Sequence, residues 1–421
     1  MAVPSVLSTY AYLWRTAYAP GISNQMVNDN PLLNMLQVLE DLEIHGSTFY
    51  IPCKTTLSSG WQQYGGTTDR HNARDLPSAN PGGGVNMTAV PHYAYGTTAM
   101  THQFLVELQK KGAVAQKNWI QEEAKDLRTV FNNIYGAQSY GDGTGKLATV
   151  TAYASGTPAT LTVDNTWNLV DGSVCDWVTS AGVDVEADIT ISIINDTQLT
   201  FTAAGSPSVT SGDMLVLKDS YGKAPSGLGK LIGTTGTVQN LARTSYRWML
   251  SNVVDNGTAD WKPKSFALLT NAMEKHGAMK WKAITTPGIY TAMTWDVIAD
   301  RRFANLSQKN EAIGRNFTFM GHEIATDSRC DSDTLFAFTP GDLGIGRMSN
   351  AWVQPLEDPT TGQASRWSLS STSQKYLSQW EMSFYSNWTL VAKKFWTHGK
   401  ITGIYGIENS SATYPDHPGV A

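Results

Sequence analysis

The long helical pattern between residues 102 and 135 constrains the architecture of this chain more than any other sequence feature. Its apolar side chains recur at steps of four and three residues, and charged side chains such as Glu122 and Lys125 occupy much of the remaining surface. The apolar stripe consists of Ile120, Ala124, Leu127, Phe131 and Ile134. This spacing predicts an amphipathic α-helix that ends at Gly136. At about 1.5 Å per residue it would be roughly 50 Å long, which is long for one globular domain and indicates a strut.

An extended segment, residues 47–100, precedes the strut. The sequence predicts a strand over residues 48–51 and a returning partner strand over residues 87–95. Glycine, proline, threonine and asparagine dominate between them. Such a long excursion without a core pattern is unusual within a compact domain. We therefore expect either disorder or ordering by contact with something else.

The first 46 residues predict an arm followed by a short helix. Pro4, Pro20 and Gly21 interrupt any regular pattern over residues 1–29. Asn30 and Pro31 then provide a cap and a suitable first position for a helix. We predict that this helix runs to Gly46. Its apolar face consists of Leu32, Leu33, Leu36, Leu39 and Leu42.

The pattern of apolar and polar residues changes twice after the strut. Beyond the turn Gly141-Asp142-Gly143-Thr144-Gly145, residues 146–221 show short alternating runs separated by Gly, Asp and Pro. They predict a small, separate β-barrel or β-sandwich. From residue 222 onward helices and strands alternate, and long alternating stretches fill residues 376–405. The predicted helices are 264–275 and 287–300, and the predicted strands are 281–285, 317–324 and 334–338.

The composition points to protein–protein contact. Only 16% of the residues are charged, against about 25% in ordinary soluble domains, and the chain has 14 Trp, 17 Tyr and 12 Phe. Interface cores are depleted in charge and enriched in aromatic residues, although the aromatic residues could equally fill the interior. The composition excludes intrinsic disorder. A net charge of −5 also argues against a conventional basic nucleic-acid binder.

The remaining composition signals concern the compartment and the membrane. Three isolated cysteines, Cys53, Cys175 and Cys330, form no C-x-x-C pair, so we expect free thiols and neither a disulfide framework nor a zinc site. The N-terminus lacks the pattern of a signal peptide. No run of about 18 apolar residues predicts a transmembrane helix.

No motif meets the requirements of a catalytic or cofactor site. The run Gly227-Leu228-Gly229-Lys230-Leu231-Ile232-Gly233 resembles a nucleotide loop but has the wrong spacing, so a turn is favoured. Asp142 lacks the acidic series of a calcium loop. His322 and Glu323 point to opposite faces of a predicted strand. The acidic pair of Asp331 and Asp333 belongs to no catalytic or metal-binding motif. We therefore predict no catalytic residue, no cofactor and no bound metal.

Basic and aromatic residues are interleaved in the extended segment. They are Trp61, Tyr64, Arg70, His71 and Arg74. Such a set could stack against single-stranded nucleic acid, or it could anchor a contact with a neighbouring subunit. Because the chain is acidic overall, we favour the subunit contact and predict Trp61, Tyr64, Arg70 and Arg74 as interface residues.

The order of these parts resembles the major capsid protein of tailed bacteriophages, of the Hong Kong ninety-seven type. The helix over residues 118–135, running into the Gly141–Gly145 turn, is similar to the spine helix of that family. The Ser226-Gly227-Leu228-Gly229 segment resembles the glycine-leucine segment that follows. Residues 317–327 resemble the strand-glycine-strand passage of the axial domain. Where the simplest members have a short connection, the β texture of residues 146–221 resembles an inserted domain.

The resemblance implies an α+β phage major capsid fold with an inserted β domain. Its expected parts are the arm and short helix (1–46), the extended β-loop (47–100), the spine helix and peripheral domain (101–145), the inserted β domain (146–221), the axial domain (222–375) and the closing peripheral strands with the tail (376–421).

The resemblance also implies a function. It implies a structural protein that assembles through hexamers and pentamers into an icosahedral shell around double-stranded DNA, made in the host cytoplasm and located in the virion. The main partner is the chain itself, DNA contact would be non-specific, and no membrane is involved. A separate scaffolding protein, a portal and decoration proteins are compatible partners. The alternative is another phage structural or receptor-binding β-rich module, or a β-rich phage enzyme.

Overall fold

The computed structural model describes residues 30–57, 81–101, 106, 129–301 and 317–405, apart from gaps at 41, 203–206, 349–353, 356–364 and 370–375. The predicted arm, the centre of the extended segment and most of the predicted strut lie outside these residues. Within the described part, the strands form five sheets. The described helices are α1 (Pro31–Met35), α2 (129–138), α3 (Leu228–Leu231), α4 (Pro263–Lys275) and α5 (Pro287–Arg301).

The N-terminal helix is shorter than the sequence predicts. Pro31 occupies its first turn, but the chain turns extended at Leu36, and the next strand pairs in parallel with residues 344–345. Leu36 and Leu39, on either side of this strand, are still buried, so an extended segment can bury part of the same leucine pattern. Gly46 ends no helix; it lies with φ of +63° in a hairpin turn. The strands here are β1 (Gln37–Val38), β2 (Glu43–His45), β3 (Thr48–Lys54), β4 (Gly84–Ala89) and β5 (His92–Thr101).

Residues 148–217 form a sheet of their own with seven strands, in the order β10-β11-β7-β6-β12-β8-β9. Side chains from both ends of this order, such as Leu199 and Ile189, belong to one buried cluster with Trp177, so the sheet curls around its own core. Ile191 separates two consecutive strands of this sheet, Asp184–Thr190 and Ser192–Asn195. The strands are β6 (Ala148–Ala154), β7 (Ala159–Val163), β8 (Val174–Val178), β9 (Asp184–Thr190), β10 (Ser192–Asn195), β11 (Gln198–Phe201) and β12 (Met214–Leu217).

The remaining strands complete two six-stranded sheets and a small hairpin. They are β13 (Thr237–Val238), β14 (Leu241–Ala242), β15 (Asn252–Asp260), β16 (Lys282–Thr285), β17 (Phe317–Phe319), β18 (His322–Thr326), β19 (Leu335–Phe338), β20 (Leu343–Gly346), β21 (Gln354–Pro355), β22 (Ser365–Leu369), β23 (Tyr376–Ala392) and β24 (Gly399–Tyr405).

The long strand β23 organises the first of these sheets, where it pairs with β5, β20, β21 and β22. The second sheet has the order β15-β24-β19-β16-β18-β17, and α4 packs its buried side chains Phe266, Leu269 and Met273 into the same core as Ile401. We expected both closing strands in one sheet. Instead, β24 lies in the second sheet, because it fits between the parallel strand β15 and the antiparallel strand β19.

Two boundaries in this region differ from the prediction. The predicted strand 317–324 is a hairpin, since Met320 and Gly321 both adopt positive φ and return the chain. The helix predicted to stop at Gly136 continues to residue 138. The helix prediction for residues 264–275 is confirmed within one residue, and Gly277 follows it with φ of +85°.

Candidate subunit interface

The root of the extended segment is a hairpin with one packed end and one open end. Strands β3 and β4 pair from Phe49 with Ala89 to Lys54 with Gly84. Phe49 and Met87, near the inner end, are fully buried in the main core. Lys54, at the outer end, is exposed. Burial is therefore lost along the hairpin, which leads the chain away from the core.

Hydrogen bonds hold the two chains together beyond the last strand residues. The backbone amides of Thr55 and Thr56 both donate to the carbonyl oxygen of Gly83, at 2.9 and 3.2 Å. The amide of Gly83 donates in return to Oγ1 of Thr56 at 2.6 Å. The predicted interface residues Trp61, Tyr64, Arg70 and Arg74 come after this point in the chain and lie outside the described residues.

A tyrosine face on β5 was not singled out from the sequence. Tyr93 and Tyr95 are 44% and 64% exposed, and they lie on the same face because side chains alternate along a strand. Tyr95 pairs in register with Tyr385 of β23, and their ring centroids are 6.4 Å apart. On the opposite face of β23, Trp388 is buried. The sequence signal was available, since two tyrosines at i and i+2 lie within the predicted returning strand.

The described end of the strut is fixed to both six-stranded sheets. The Tyr135 ring packs edge-on against Trp388 of β23, with 5.1 Å between centroids. The Tyr140 hydroxyl donates to Oδ2 of Asp327, just after β18, at 2.8 Å. Burial and the neighbouring Asp327 carboxylate hold the pKa of Tyr140 well above its ordinary value. The tyrosine is therefore a permanent hydrogen-bond donor.

Arg329 adds a second polar link at the same junction. Its Nη2 donates to Oδ1 of Asn133 in α2 at 2.8 Å, and its Nη1 lies 3.8 Å from Oδ1 of Asp327. Both charged side chains are almost completely buried. A buried pair of this kind depends on hydrogen bonds to the remaining polar atoms, which Tyr140 and Asn133 supply. These contacts tie the described end of the strut to the sheet that contains β18.

The glycine-rich run 227–233 is a packing turn. The amides of Leu228 and Gly229 donate to the carbonyl oxygens of Ser139 and Tyr140, at 2.8 and 3.0 Å. A phosphate-binding loop needs such amides free to face the ligand. A Cβ on Gly227 would lie 2.5 Å from the carbonyl oxygens of Gln138 and Gly141. The glycine is required for close backbone approach, as the favoured turn prediction implies.

The other sequence candidates also have local structural roles. Oδ1 of Asp142 accepts the amide of Thr144 at 2.9 Å, which is an Asx turn. The His322 ring is buried and stacks on Trp281 with centroids 3.8 Å apart. Glu323, by contrast, pairs with Lys282 at 2.8 Å, so the predicted opposite orientation is confirmed.

A metal-binding arrangement is not found in the part of the chain that the structure describes. There, no group of three or more His, Cys, Asp or Glu side chains lies close enough to hold a metal ion. Cys53, Cys175 and Cys330 are free thiols, as expected. Among the described helices, none has the length and apolar character needed to cross a membrane.

Arg243 is a buried residue that sequence reasoning missed. Its guanidinium donates to four backbone carbonyl oxygens, including those of Lys230 and Leu231 at 2.9 and 2.6 Å. Burial lowers its pKa. An isolated arginine in a loop region carries no pattern, so only the fold could reveal that it ties residues 230–249 together.

The acidic charge of the chain is concentrated in the seven-stranded sheet. Residues 146–221 hold nine Asp or Glu and two Lys, whereas the rest of the chain holds 29 basic and 27 acidic residues. The net negative charge is therefore a property of this sheet. The remainder of the chain is close to neutral and slightly basic.

Comparison with known proteins identifies the fold. Neither a protein-family model nor a curated protein matches the sequence. Among solved structures, a chain of the cyanophage A-1(L) capsid asymmetric unit matches with a TM-score of 0.53 and 12% identity, covering 91% of this chain and 95% of that chain. A chain of the holo-SrpI encapsulin complex from Synechococcus elongatus matches with a TM-score of 0.47 and 6% identity, over 98% and 100%. A structure from Microbacterium phage Oxtober96 matches with a TM-score of 0.46 and 8% identity, covering 94% of this chain and 98% of that chain.

The fold assignment rests on the first of these matches. It extends over nearly the whole of both chains, so it concerns the complete arrangement of helices and sheets. The chain has an α+β fold of the phage capsid type, as the resemblance implied.

Proposed function

We propose that this chain is the major capsid protein of a tailed bacteriophage, and that it assembles through hexamers and pentamers into an icosahedral shell around double-stranded DNA. The observation that carries the proposal is the whole-chain likeness to a cyanophage capsid subunit fold. The proposal places the protein in the virion, after assembly in the host cytoplasm. Its main partner is itself, with a portal, a separate scaffolding protein and decoration proteins as further partners.

The hairpin supports an interface role for the extended segment. A projection that loses burial along its length gains stability only if another surface covers it, because ordering a chain costs conformational entropy. A neighbouring subunit provides that surface in a closed ring, where each interface is heterologous. We propose that Trp61, Tyr64, Arg70 and Arg74 lie in this contact, together with the exposed Tyr93 and Tyr95.

We infer a structural role and no enzymatic one. The glycine-rich run has its amides occupied by backbone carbonyl groups. His322 and Glu323 face different partners. The residues that could have formed a catalytic or nucleotide-binding site are therefore occupied in structural contacts. DNA contact would be weak and non-specific, because the chain carries a net charge of −5 and phosphate binding depends on positive charge.

Electron microscopy of the purified protein tests the proposal. We expect closed shells, or rings with five or six subunits, under conditions that favour assembly. A protein that stays monomeric in sedimentation under every assembly condition would contradict it. This result would also favour the alternative of a receptor-binding β-rich module.

A loop deletion tests the interface role separately. Replacing residues 58–80 with a short Gly-Ser linker keeps the pairing of Thr55 and Thr56 with Gly83. Deleting as far as residue 88 would also remove the buried Met87 and would confuse folding with assembly. We expect soluble, folded subunits that fail to assemble. The control variant is Trp167→Ala, which removes an aromatic side chain that is 46% exposed. This variant should assemble normally. Normal shells from the deletion would rule out the interface role.

A further inference from the structure

A cationic cleft lies beneath the β3–β4 hairpin. It has a volume of about 980 Å³ and opens between the hairpin and the segments around residues 247–252 and 393–396. Its lining includes Lys54, Arg247, His276, Lys393 and Lys394, and among the described residues that line it there is no Asp or Glu. Lys394 reaches Asp342 outside the cleft, at 3.1 Å. The charge of the lining is therefore predominantly positive.

Unpaired donors lie in the same wall. Ser251 is 5% exposed, and its Oγ has no hydrogen-bond partner among the described residues; the same holds for the buried Nε1 of Trp248. Both residues line the cleft. Buried donors in native proteins are nearly always paired, so this wall contains polar atoms whose hydrogen-bonding capacity is not used by the described residues.

The lining of the cleft also includes an exposed aromatic side chain. Trp396 is 41% exposed, and its ring is stacked on His276 with an interplanar angle of 7° and 5.6 Å between centroids. Exposed tryptophans are typical anchors of protein contacts. The cleft thus combines positive charge with an apolar rim, which suits a segment that carries both carboxylates and aliphatic side chains.

This chain itself presents a segment of that chemistry. Strand β9 lies at one end of the seven-stranded sheet, and it carries Asp184, Glu186 and Asp188 within five residues. Val183, immediately before it, is 64% exposed. Charges on an edge strand can serve only to prevent edge-to-edge aggregation. That role explains the carboxylates but not the complementary charge of the cleft.

We propose that β9 and the turn before it, in one copy of this chain, dock into the cationic cleft of a second copy. Asp184 and Glu186 meet the lysines and Arg247, and Val183 contacts Trp396. The inference rests on the proposed shell function and adds a specific contact between neighbouring subunits. It also gives a role to two of the nine acidic residues in 146–221, opposite a cleft whose described lining has no Asp or Glu.

A charge exchange tests the contact. The double variants K54E/R247E and D184K/E186K should each raise the protein concentration for half-assembly by roughly tenfold or more, because like charges then face each other. The quadruple variant should recover most of the loss. The single variants K280E and D196K, which reverse exposed charges elsewhere, serve as controls and should assemble normally. A quadruple variant no better than the doubles would overturn the proposal.

A second measurement uses the unmodified protein and so does not depend on variants that fold. Zero-length carbodiimide cross-linking of assembled shells, followed by mass spectrometry, should join Lys54, Lys393 or Lys394 of one copy to Asp184 or Glu186 of another. Shells that give lysine–carboxylate links elsewhere but none to β9 would overturn the contact and leave the proposed shell function intact. Protection of these lysines by a double-stranded oligonucleotide, without such links, would assign the cleft to DNA and also overturn it. If wild-type protein forms no shells, the proposed function itself fails.

Discussion

The Tyr140 hydroxyl donates a 2.8 Å hydrogen bond to Oδ2 of Asp327, a residue 187 positions further along the chain. Asp327 also accepts the backbone amide of Arg329 through Oδ1, at 3.0 Å. The contact joins the end of the predicted strut to the sheet of β16, β18 and β19. In a shell subunit, this junction would carry the load between the strut and that sheet.

Replacing Tyr140 with phenylalanine should destabilise the subunit. The change removes one hydrogen-bond donor from a buried carboxylate, which costs about 1–3 kcal/mol of unfolding free energy. Chemical denaturation of the unassembled protein measures the loss. Tyr221→Phe is the matched control, since that hydroxyl bonds to the carbonyl of Ser180 at an exposed position and its loss should cost much less. Equal losses for the two variants would contradict the role of the junction.

Gly227→Ala should destabilise more strongly than an alanine at Gly141, in the turn that Gly227 packs against. The new Cβ would lie 2.5 Å from two backbone carbonyl oxygens, and overpacking of this kind costs typically 1–3 kcal/mol or more. Gly141→Ala is the control, because its nearest neighbour would lie at an ordinary 3.4 Å. Thermal unfolding of both variants gives the comparison, and similar midpoints would show that the approach is not tight.

Residues 146–221 should fold alone, and the rest of the chain should fold without them. Apart from Ala137, the buried cluster of this sheet comes from residues 147–215. Its ends meet, since the amide of Gly222 donates to the carbonyl of Thr144 at 2.8 Å. We therefore expect cooperative unfolding of the isolated segment, and native-like circular dichroism from a chain in which two glycines replace it.

The same excision separates folding from assembly. If β9 docks on a second copy, the shortened chain should assemble less well than the full chain while remaining folded. An isolated segment that shows no cooperative transition would argue against a separate domain. A shortened chain that unfolds would show that the two parts depend on each other.

His398 should make the protein less stable in acid. Burial lowers the pKa of this histidine to about 4, below its ordinary value near 6.5. As the pH falls from about 6.5 to about 4, the unfolded chain takes up a proton that the folded chain does not, so stability is lost across this window. The expected loss from this residue is roughly 3 kcal/mol.

The substitution His398→Asn isolates that effect. Asparagine can still accept the amide of Thr339, which now donates to Nδ1 of His398 at 3.2 Å, but it does not titrate. Denaturation curves between pH 7 and pH 4 should therefore show a smaller acid-induced loss in the variant than in the wild type. A loss of the same size in both proteins would show that other groups cause the acid sensitivity.

Much of the fold followed from local patterns. The helix Pro263–Lys275, the strand Lys282–Thr285 and the pairing of residues 49–51 with residues 87–89 agree with their periodicity and turn signals. These elements are predictable because their faces are either clearly buried or clearly exposed. The single returning strand predicted over residues 87–95 is wrong in part, because the chain divides after Ala89 and the second half, β5, pairs with β23 in another sheet. The leucine pattern of residues 32–42 led to a wrong prediction of one long helix. A short helix followed by an extended segment buries Leu32, Leu36 and Leu39 equally well.

The sequence by itself determined the order of the parts and the β character of residues 146–221. Each of these depends on spacing or on backbone conformation, which are local properties. Only the tertiary structure decided that β24 joins the second six-stranded sheet, that Arg243 ties four carbonyl groups, and that Tyr140 meets Asp327. Those contacts join residues far apart in the chain, and no local pattern encodes which distant partner a side chain will find.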